Sequence, residues 1–298
     1  MCGIVGLFLK NPGLESELGL HFSRMLACMS SRGPDSAGFA IYGHPAPDGA
    51  LKVTLQHPSE AYDWQALAGS LGGRFKVQPG VRVVSTHAVF TLAASEGDVR
   101  GFLGREHPDV TVMSVGSTIE IMKETGTPES VIARFDVAGM TGSHAVGHTR
   151  MATESAVNTQ GSHPFSTGLD LCLVHNGSLS NHSRLRDSLR REGIEFRTDN
   201  DSEVAAGYLT SRLRKGDDLS AALGHALEDL DGFYTFTVGT NDGFAVLRDR
   251  IACKPAIMAE TDDYVAMASE YRSLAVLPGI GDARLWEPEP ATVYSWSR

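Results

Sequence analysis

The sequence predicts an α+β fold. Strand-like apolar runs cluster near the N-terminus and again in the C-terminal half, helical patterns cluster between them, and no regular βαβ alternation links the two. The first strand is followed by Asn11-Pro12-Gly13 and then a helix, not by the glycine-rich turn of a dinucleotide-binding unit. A G-x-x-x-x-G-K-[ST] phosphate loop is also absent from the sequence.

Residues 4–9 form a continuous apolar run closed by Asn11-Pro12-Gly13, the pattern of a strand buried on both faces. Leu18, Phe22, Met25, Leu26 and Met29 recur at helical spacing and predict an amphipathic helix ending near Ser30-Ser31. Arg32-Gly33-Pro34-Asp35-Ser36-Ala37-Gly38 reads as a turn, with residues 39–42 and 51–55 as the two strands of a hairpin. Between about residues 57 and 143 lies a segment with its own logic. Helices are expected at 64–71 and 97–105, strands at 81–85 and 110–115, and Thr127-Pro128 starts a further turn before 131–135. His87 and His107 within it read as structural or solvated.

Polar residues beside glycine then become dense. Gly147-His148-Thr149-Arg150-Met151-Ala152-Thr153 follows an apolar approach, and His163-Pro164-Phe165 sits in a Gly/Ser-rich loop. A strand at 171–174 runs into His175-Asn176-Gly177, where Asn-Gly favours a tight turn. A helix from Asn181, with Leu185 and Leu189 on one face and Gly193 at its end, argues against a simple hairpin there. Asn200 followed by Glu203 resembles a capping box opening the next helix, which leaves Asp201 in the first turn, where the helix dipole favours a carboxylate. A helix at 219–230 and strands at 233–238, 244–247, 256–259 and 264–268 complete the chain.

Bulk properties exclude several functions. A formal charge of −10 with only 26 Lys+Arg argues against a nucleic-acid or anionic-membrane surface. No apolar run approaches the length of a membrane span, and Lys10-Asn11 end the N-terminal run too early for a signal peptide. Cys2, Cys28, Cys172 and Cys253 are far apart and show no metal-ligand or C-x-x-C spacing. A reduced cytoplasmic protein without disulfides, metal or cofactor is expected.

Cys2 directly follows the initiator methionine. It reads either as an ordinary buried residue at the start of a strand or, once Met1 is removed, as a nucleophile carrying its own amine. A thiol is only partly thiolate at neutral pH and profits from a nearby base, and an α-amino group can serve as one.

The motifs Cys2-Gly3-Ile4-Val5-Gly6, Arg32-Gly33-Pro34-Asp35-Ser36-Ala37-Gly38, His148-Thr149-Arg150-x-Ala152-Thr153, His175-Asn176-Gly177, Asp201-Ser202-Glu203 and Ala268-Ser269-Glu270 occur in this order over nearly the whole chain. In this the sequence resembles the class II glutamine amidotransferase domain of the N-terminal-nucleophile hydrolases. The resemblance implies a four-layer αββα sandwich, with two antiparallel sheets between helix layers. It also implies that Cys2 attacks the side-chain amide of L-glutamine, with the Cys2 α-amine as base. The Asn176 side chain and the Gly177 N–H match the oxyanion hole. Arg150 matches the partner of the glutamine α-carboxylate, Asp201 receives the α-ammonium, and Thr153 adds a hydroxyl contact. Arg32, Asp35, His148 and His175 are implied to support the site.

Met151 and Glu154 depart from the aromatic and histidine residues many relatives carry after the H-T-R motif. The stretch between Ser36 and Arg150 is longer than in the sugar-phosphate amidotransferases, so residues 57–143 are expected to be an insertion, a docking or lid surface, within one domain spanning 1–298. No synthase or isomerase domain follows the motifs, so the expectation is a separate flavin-containing synthase subunit that receives ammonia. The overall pattern resembles the stand-alone amidotransferase chains of glutamate-synthase-like enzymes, including that of N-methylglutamate synthase, where glutamate-derived amide transfer replaces simple hydrolysis. Two other readings remain open: another N-terminal-nucleophile amide hydrolase, against which Arg150 and Asp201 speak, and a non-catalytic regulatory subunit retaining the fold.

Overall fold

The computed structural model describes residues 2–151 and 157–298. β1 (Gly3–Leu9) is buried along its whole length because both of its faces meet apolar layers. Ile4 and Phe8 face one core, while Val5, Leu7 and Leu9 face another. α1 (Leu18–Ala27) lays Phe22, Met25 and Leu26 on the second of these cores. β2 (Ser36–Tyr42) follows, and the chain then leaves the sheet that β1 and β2 share.

It builds β3 (Leu51–Gln56), α2 (Trp64–Phe75), β4 (Gly80–Val84), β5 (His87–Leu92), α3 (Glu96–Glu106) and β6 (Thr111–Gly116). These strands form a separate sheet in the order β4-β5-β3-β6 around a core of its own that includes Val53, Trp64, Phe90 and Leu103. The chain returns through β7 (Ile119–Thr125), α4 (Pro128–Arg134) and β8 (His144–Arg150). β9 (Cys172–Leu179), α5 (His182–Arg191), α6 (Asp201–Arg214) and α7 (Leu219–Asp229) follow. Then come β10 (Gly232–Gly239), β11 (Gly243–Arg248), β12 (Ile257–Glu260), β13 (Tyr264–Ala268), α8 (Tyr271–Leu274), β14 (Arg284–Trp286) and β15 (Val293–Ser297).

The main body is the expected four-layer αββα sandwich. A seven-stranded antiparallel sheet, β14-β12-β13-β1-β8-β2-β7, faces a four-stranded one, β15-β11-β10-β9. Ile4, Phe8, Tyr42, Val174, Phe244 and Met267 pack between them. Residues of α1, α4 and α8 cover the outer face of the larger sheet, and α5, α6 and α7 cover the smaller. The two sheets meet closely at Gly6, where a Cβ would come 2.5 Å from the Phe244 ring. Among the described residues no helix is long and apolar enough to cross a membrane.

Four sequence expectations need correction. The strands at 39–42 and 51–55 are not a hairpin: β2 pairs with β7 and β8, whereas β3 pairs with β5 and β6. The intervening His44-Pro45-Ala46-Pro47 segment carries the chain from one sheet to the other, anchored by Ala46 N–H on the Ser117 carbonyl at 2.8 Å. The separate sheet therefore starts at β3, before residue 57, and ends at β6; β7 joins the main sheet and α4 its helix layer. Asn176-Gly177 is not a turn but lies inside β9, paired with Thr235 and Tyr234. Finally, the capping box at α6 is only half made. Asn200 accepts from Ser202 N–H at 2.9 Å, but Glu203 turns back to the N–H groups of Arg197 and Thr198.

Candidate functional site

Cys2 precedes β1 at the end of the gap between the two sheets, and its backbone is held from several directions. Its carbonyl accepts from Arg32 Nε at 2.9 Å and from Asn176 Nδ2 at 3.3 Å. The thiol points toward the Met151 carbonyl, 4.0 Å from Sγ. The next residue has no room for a side chain, since a Cβ on Gly3 would lie 2.8 Å from Met29 Sδ and 2.9 Å from Thr149 Oγ1. Ile4 and Ser269 exchange two bonds, Ile4 N–H to Ser269 Oγ and Ser269 N–H to the Ile4 carbonyl, both 2.9 Å. Arg32 also pairs with Glu270 at 2.7 Å, so the late Ser269-Glu270 motif closes on the N-terminal strand. Arg32 thus supports the main chain of Cys2.

Arg150 ends β8, opposite Ser36 on β2. The Arg-Gly-Pro-Asp turn packs backbone to backbone against it: a Cβ on Gly33 would lie 2.4 Å from the Thr149 carbonyl carbon. Asp35 N–H donates to the Arg150 carbonyl at 3.1 Å. Asp35 thus fixes where β8 ends and the arginine side chain departs. Thr153, like Ala152, Glu154 and Met1, lies outside the described residues.

From the other sheet come Asn176 and Gly177. Gly177 has φ of +149°, and a Cβ there would sit 2.0 Å from the Phe233 carbonyl oxygen, so only glycine fits. Asp201 stands at the first turn of α6, where one carboxylate oxygen accepts Leu179 N–H at 2.8 Å and the other lies 3.3 Å from Ser202 Oγ. The approach to α6 is braced by Arg186 of α5, whose guanidinium donates to the Asn200 carbonyl at 3.1 Å and to the Thr198 carbonyl.

These elements enclose an open cleft of about 190 Å³ lined by Cys2, Arg150, His175, Asn176, Gly177 and Asp201, together with Met151, His163, Asn200 and Ser202. The cleft presents a thiol, a guanidinium, a carboxamide and a carboxylate to one small volume. That set can hold both charged ends of a free amino acid while a thiol and an amide donor face its side chain.

Three buried histidines stand at the cleft. His148 and His163 stack with ring centres 4.1 Å apart, and His175 Nδ1 is 2.8 Å from Ser202 Oγ. Burial pulls His148 down to about 3, and His163 well below the ordinary value with the neighbouring His148 adding to it. Burial also pulls His175 down to about 4, against the opposing pull of Asp201. All three are neutral imidazoles near pH 7; His163 and His175 line the cleft, and His148 stacks behind His163. Among the described residues no group of three or more His, Cys, Asp or Glu side chains is placed to hold a metal ion.

The structure thus brings Cys2, Arg150, Asn176, Gly177 and Asp201 together, with Arg32, Asp35, His148 and His175 around them. Sequence reading misses Lys123, Arg186 and Ser202 as site supports. Lys123, buried on β7, donates to the carbonyls of Gln160, Ser162 and Pro164 and so holds the loop carrying His163. Its signal is faint, because charged residues interrupt the apolar pattern of β7. Ser202 stands inside a motif that carries a signal of its own, whereas Arg186 looks like any solvated arginine on a highly charged helix.

A glutamine amidotransferase domain model matches residues 148–276. The glutamine amidotransferase-like protein GlxB of Rhizobium meliloti (strain 1021) is 60% identical over 99% of this chain and 98% of its own length. The chain belongs to the class II glutamine amidotransferase family. Another relative of this amidotransferase, from Methanothermobacter thermautotrophicus, is 32% identical over 99% of each chain. Among solved structures, the glutamine phosphoribosylpyrophosphate amidotransferase from B. subtilis superposes with a TM-score of 0.61 at 18% identity, which shows the shared fold. The present amidotransferase covers 49% of that chain.

Proposed function

We propose that Cys2, with its amine freed by removal of Met1, is the nucleophile of a glutamine amidohydrolase half-reaction. The thiolate attacks the glutamine side-chain carbonyl, the C–N bond breaks, and the amine relays a proton to the departing ammonia. Water then cleaves the resulting thioester to glutamate. Asn176 Nδ2 and the Gly177 N–H stabilise the tetrahedral oxyanion, Arg150 holds the α-carboxylate, Asp201 the α-ammonium, and Thr153 adds a hydroxyl contact. The observation that carries this reading is the single cleft shared by Cys2, Asn176, Arg150 and Asp201.

The ammonia passes to a separate synthase subunit in the reducing cytoplasm, a flavin-containing, glutamate-synthase-like partner of the N-methylglutamate synthase type. In this reading the separate sheet from β3 to β6 is an insertion that meets that partner.

Two measurements test the proposal. A glutamine-analogue electrophile should label the protein on one site, and Cys2→Ala should abolish labelling; labelling that survives the substitution defeats the nucleophile assignment. Purification from its native host should recover a flavin-containing partner; a fully active lone glutaminase would remove the case for a synthase partner.

A further inference from the structure

A second cleft, of about 310 Å³, adjoins the first on the far side of the 158–167 loop. It is at the small end of the range for small-molecule sites, about 300–1,000 Å³. Its walls come from α3 and β6 of the separate sheet, the loop on both sides of His163, and the connection from α5 into α6, with Lys123 of β7 and Arg214 of α6 beside them.

Its charge is uneven in a specific way. Arg100 on α3 spends its Nε on Glu96 at 2.8 Å, while its Nη2 is buried without a hydrogen-bond partner. A buried donor left unsatisfied is costly, and an arginine fork is shaped to clasp a planar or tetrahedral oxyanion. Arg197, on the α5–α6 connection, makes no ion pair among the described residues. Desolvation in the cleft wall, and after it the neighbouring Arg100 charge, hold the Arg197 guanidinium below its ordinary value even though the residue keeps an exposed face. Glu195 and Glu203 pull the Arg197 guanidinium the other way, but Glu203 gives its oxygens to Arg197 N–H, Thr198 N–H and Thr198 Oγ1 at 2.7–3.0 Å and forms no ion pair among the described residues. Arg100, Arg197 and Arg214 line the cleft with Lys123, against the carboxylates of Glu96, Glu195 and Glu203, and the buried Nη2 of Arg100 is left unanswered.

We infer that this cleft is an effector site for a small organic anion, bound through a carboxylate or phosphate group between Arg100 and Arg197. The cleft and the Cys2 cleft are lined by neighbouring residues of the same two segments. Pro164 lines one and His163 the other, while Thr198 and Glu203 line one and Asn200 and Asp201 the other. An anion that draws Arg197 toward Arg100 pulls on the strand of chain leading directly into Asp201. The effector role rests on the glutamine-hydrolysing reading; the binding site itself does not.

Calorimetric titration with inorganic phosphate and, separately, succinate at constant ionic strength tests the site without requiring turnover. One of the two should bind saturably, and the Arg100→Ala/Arg197→Ala double variant should bind it at least tenfold more weakly while keeping Cys2 labelling. The arm that binds tells phosphate chemistry from carboxylate chemistry. Binding of neither probe, or binding that survives in the double variant, overturns the site. The bound probe should also move the KM for glutamine at least threefold in the native chain and not in the double variant. Saturable binding with an unmoved KM overturns the effector role.

Discussion

The side-chain amide of Asn176 donates to the backbone carbonyl of Cys2 across 3.3 Å, joining the end of one sheet to the start of the other. The residue proposed to stabilise the oxyanion thus stands beside the proposed nucleophile without substrate. The same carbonyl is held by Arg32, so Cys2 is fixed by its main chain while its thiol stays in the cleft.

Asn176→Ala should lower kcat for glutamine hydrolysis by about 10²–10³, the usual consequence of losing one oxyanion donor. KM should change little, because the missing bond forms in the transition state. Steady-state ammonia release checks this; an unchanged kcat would remove Asn176 from the oxyanion hole.

Arg150→Lys keeps the charge but loses the two-pronged geometry suited to a carboxylate. A loss of about 1.5–3 kcal/mol, typical of a hydrogen bond to a charged group, corresponds to a KM for glutamine raised on the order of 10- to 100-fold. Glutamine lacking its α-carboxylate should discriminate poorly between the two proteins. If it is still turned over tenfold better by the native chain, Arg150 has another job.

Acid should destabilise the protein before its carboxylates titrate. Burial lowers His87, His144 and His148 to about 3 and His175 to about 4, whereas histidines of the unfolded chain titrate near ~6.5. Between these values the unfolded chain binds more protons, so the stability from keeping the rings neutral is complete above about pH 6.5 and is lost as pH falls toward about 3. Urea midpoints should decline steadily between pH 7 and 5. A flat profile over that interval contradicts neutral buried rings.

Lys123 carries the His163 loop on three carbonyl bonds of 2.6–3.1 Å, and its ammonium lies 4.6 Å from the Phe165 ring centre. Burial draws its pKa to about 7, yet three acceptors call for the three protons of the charged form. Lys123→Met leaves those carbonyls without their donor and should cost about 2–4 kcal/mol of stability. Because His163 lines the Cys2 cleft, glutamine turnover should fall as well. A native-like denaturation midpoint together with native turnover would show that the loop holds itself.

Much of this protein could be read along the chain. The double-faced burial of β1 followed from its unbroken apolar run, the helices from their spacing and caps, and the motif residues from their order. What failed was pairing, and β5, β7, β14 and β15 lie outside the strands read from the sequence. Residues 39–42 and 51–55 both looked like strands and both are, but nothing local says that eight intervening residues cross to another sheet rather than fold back. Asn-Gly at 176–177 carries a strong turn signal, which the neighbouring β10 overrides by pairing straight through it.

The sequence by itself determined the α+β class, the family motifs and many of the strands and helices, because side-chain identity and apolar periodicity are local properties. Only the tertiary structure decided that Cys2, Arg150, Asn176 and Asp201 open onto one cleft. It alone also gave Lys123 and Arg186 their work as loop anchors and set Arg100 beside Arg197. Those relationships depend on sheet order and on which buried polar groups must find partners across the fold, and neither is encoded in any single stretch of the chain.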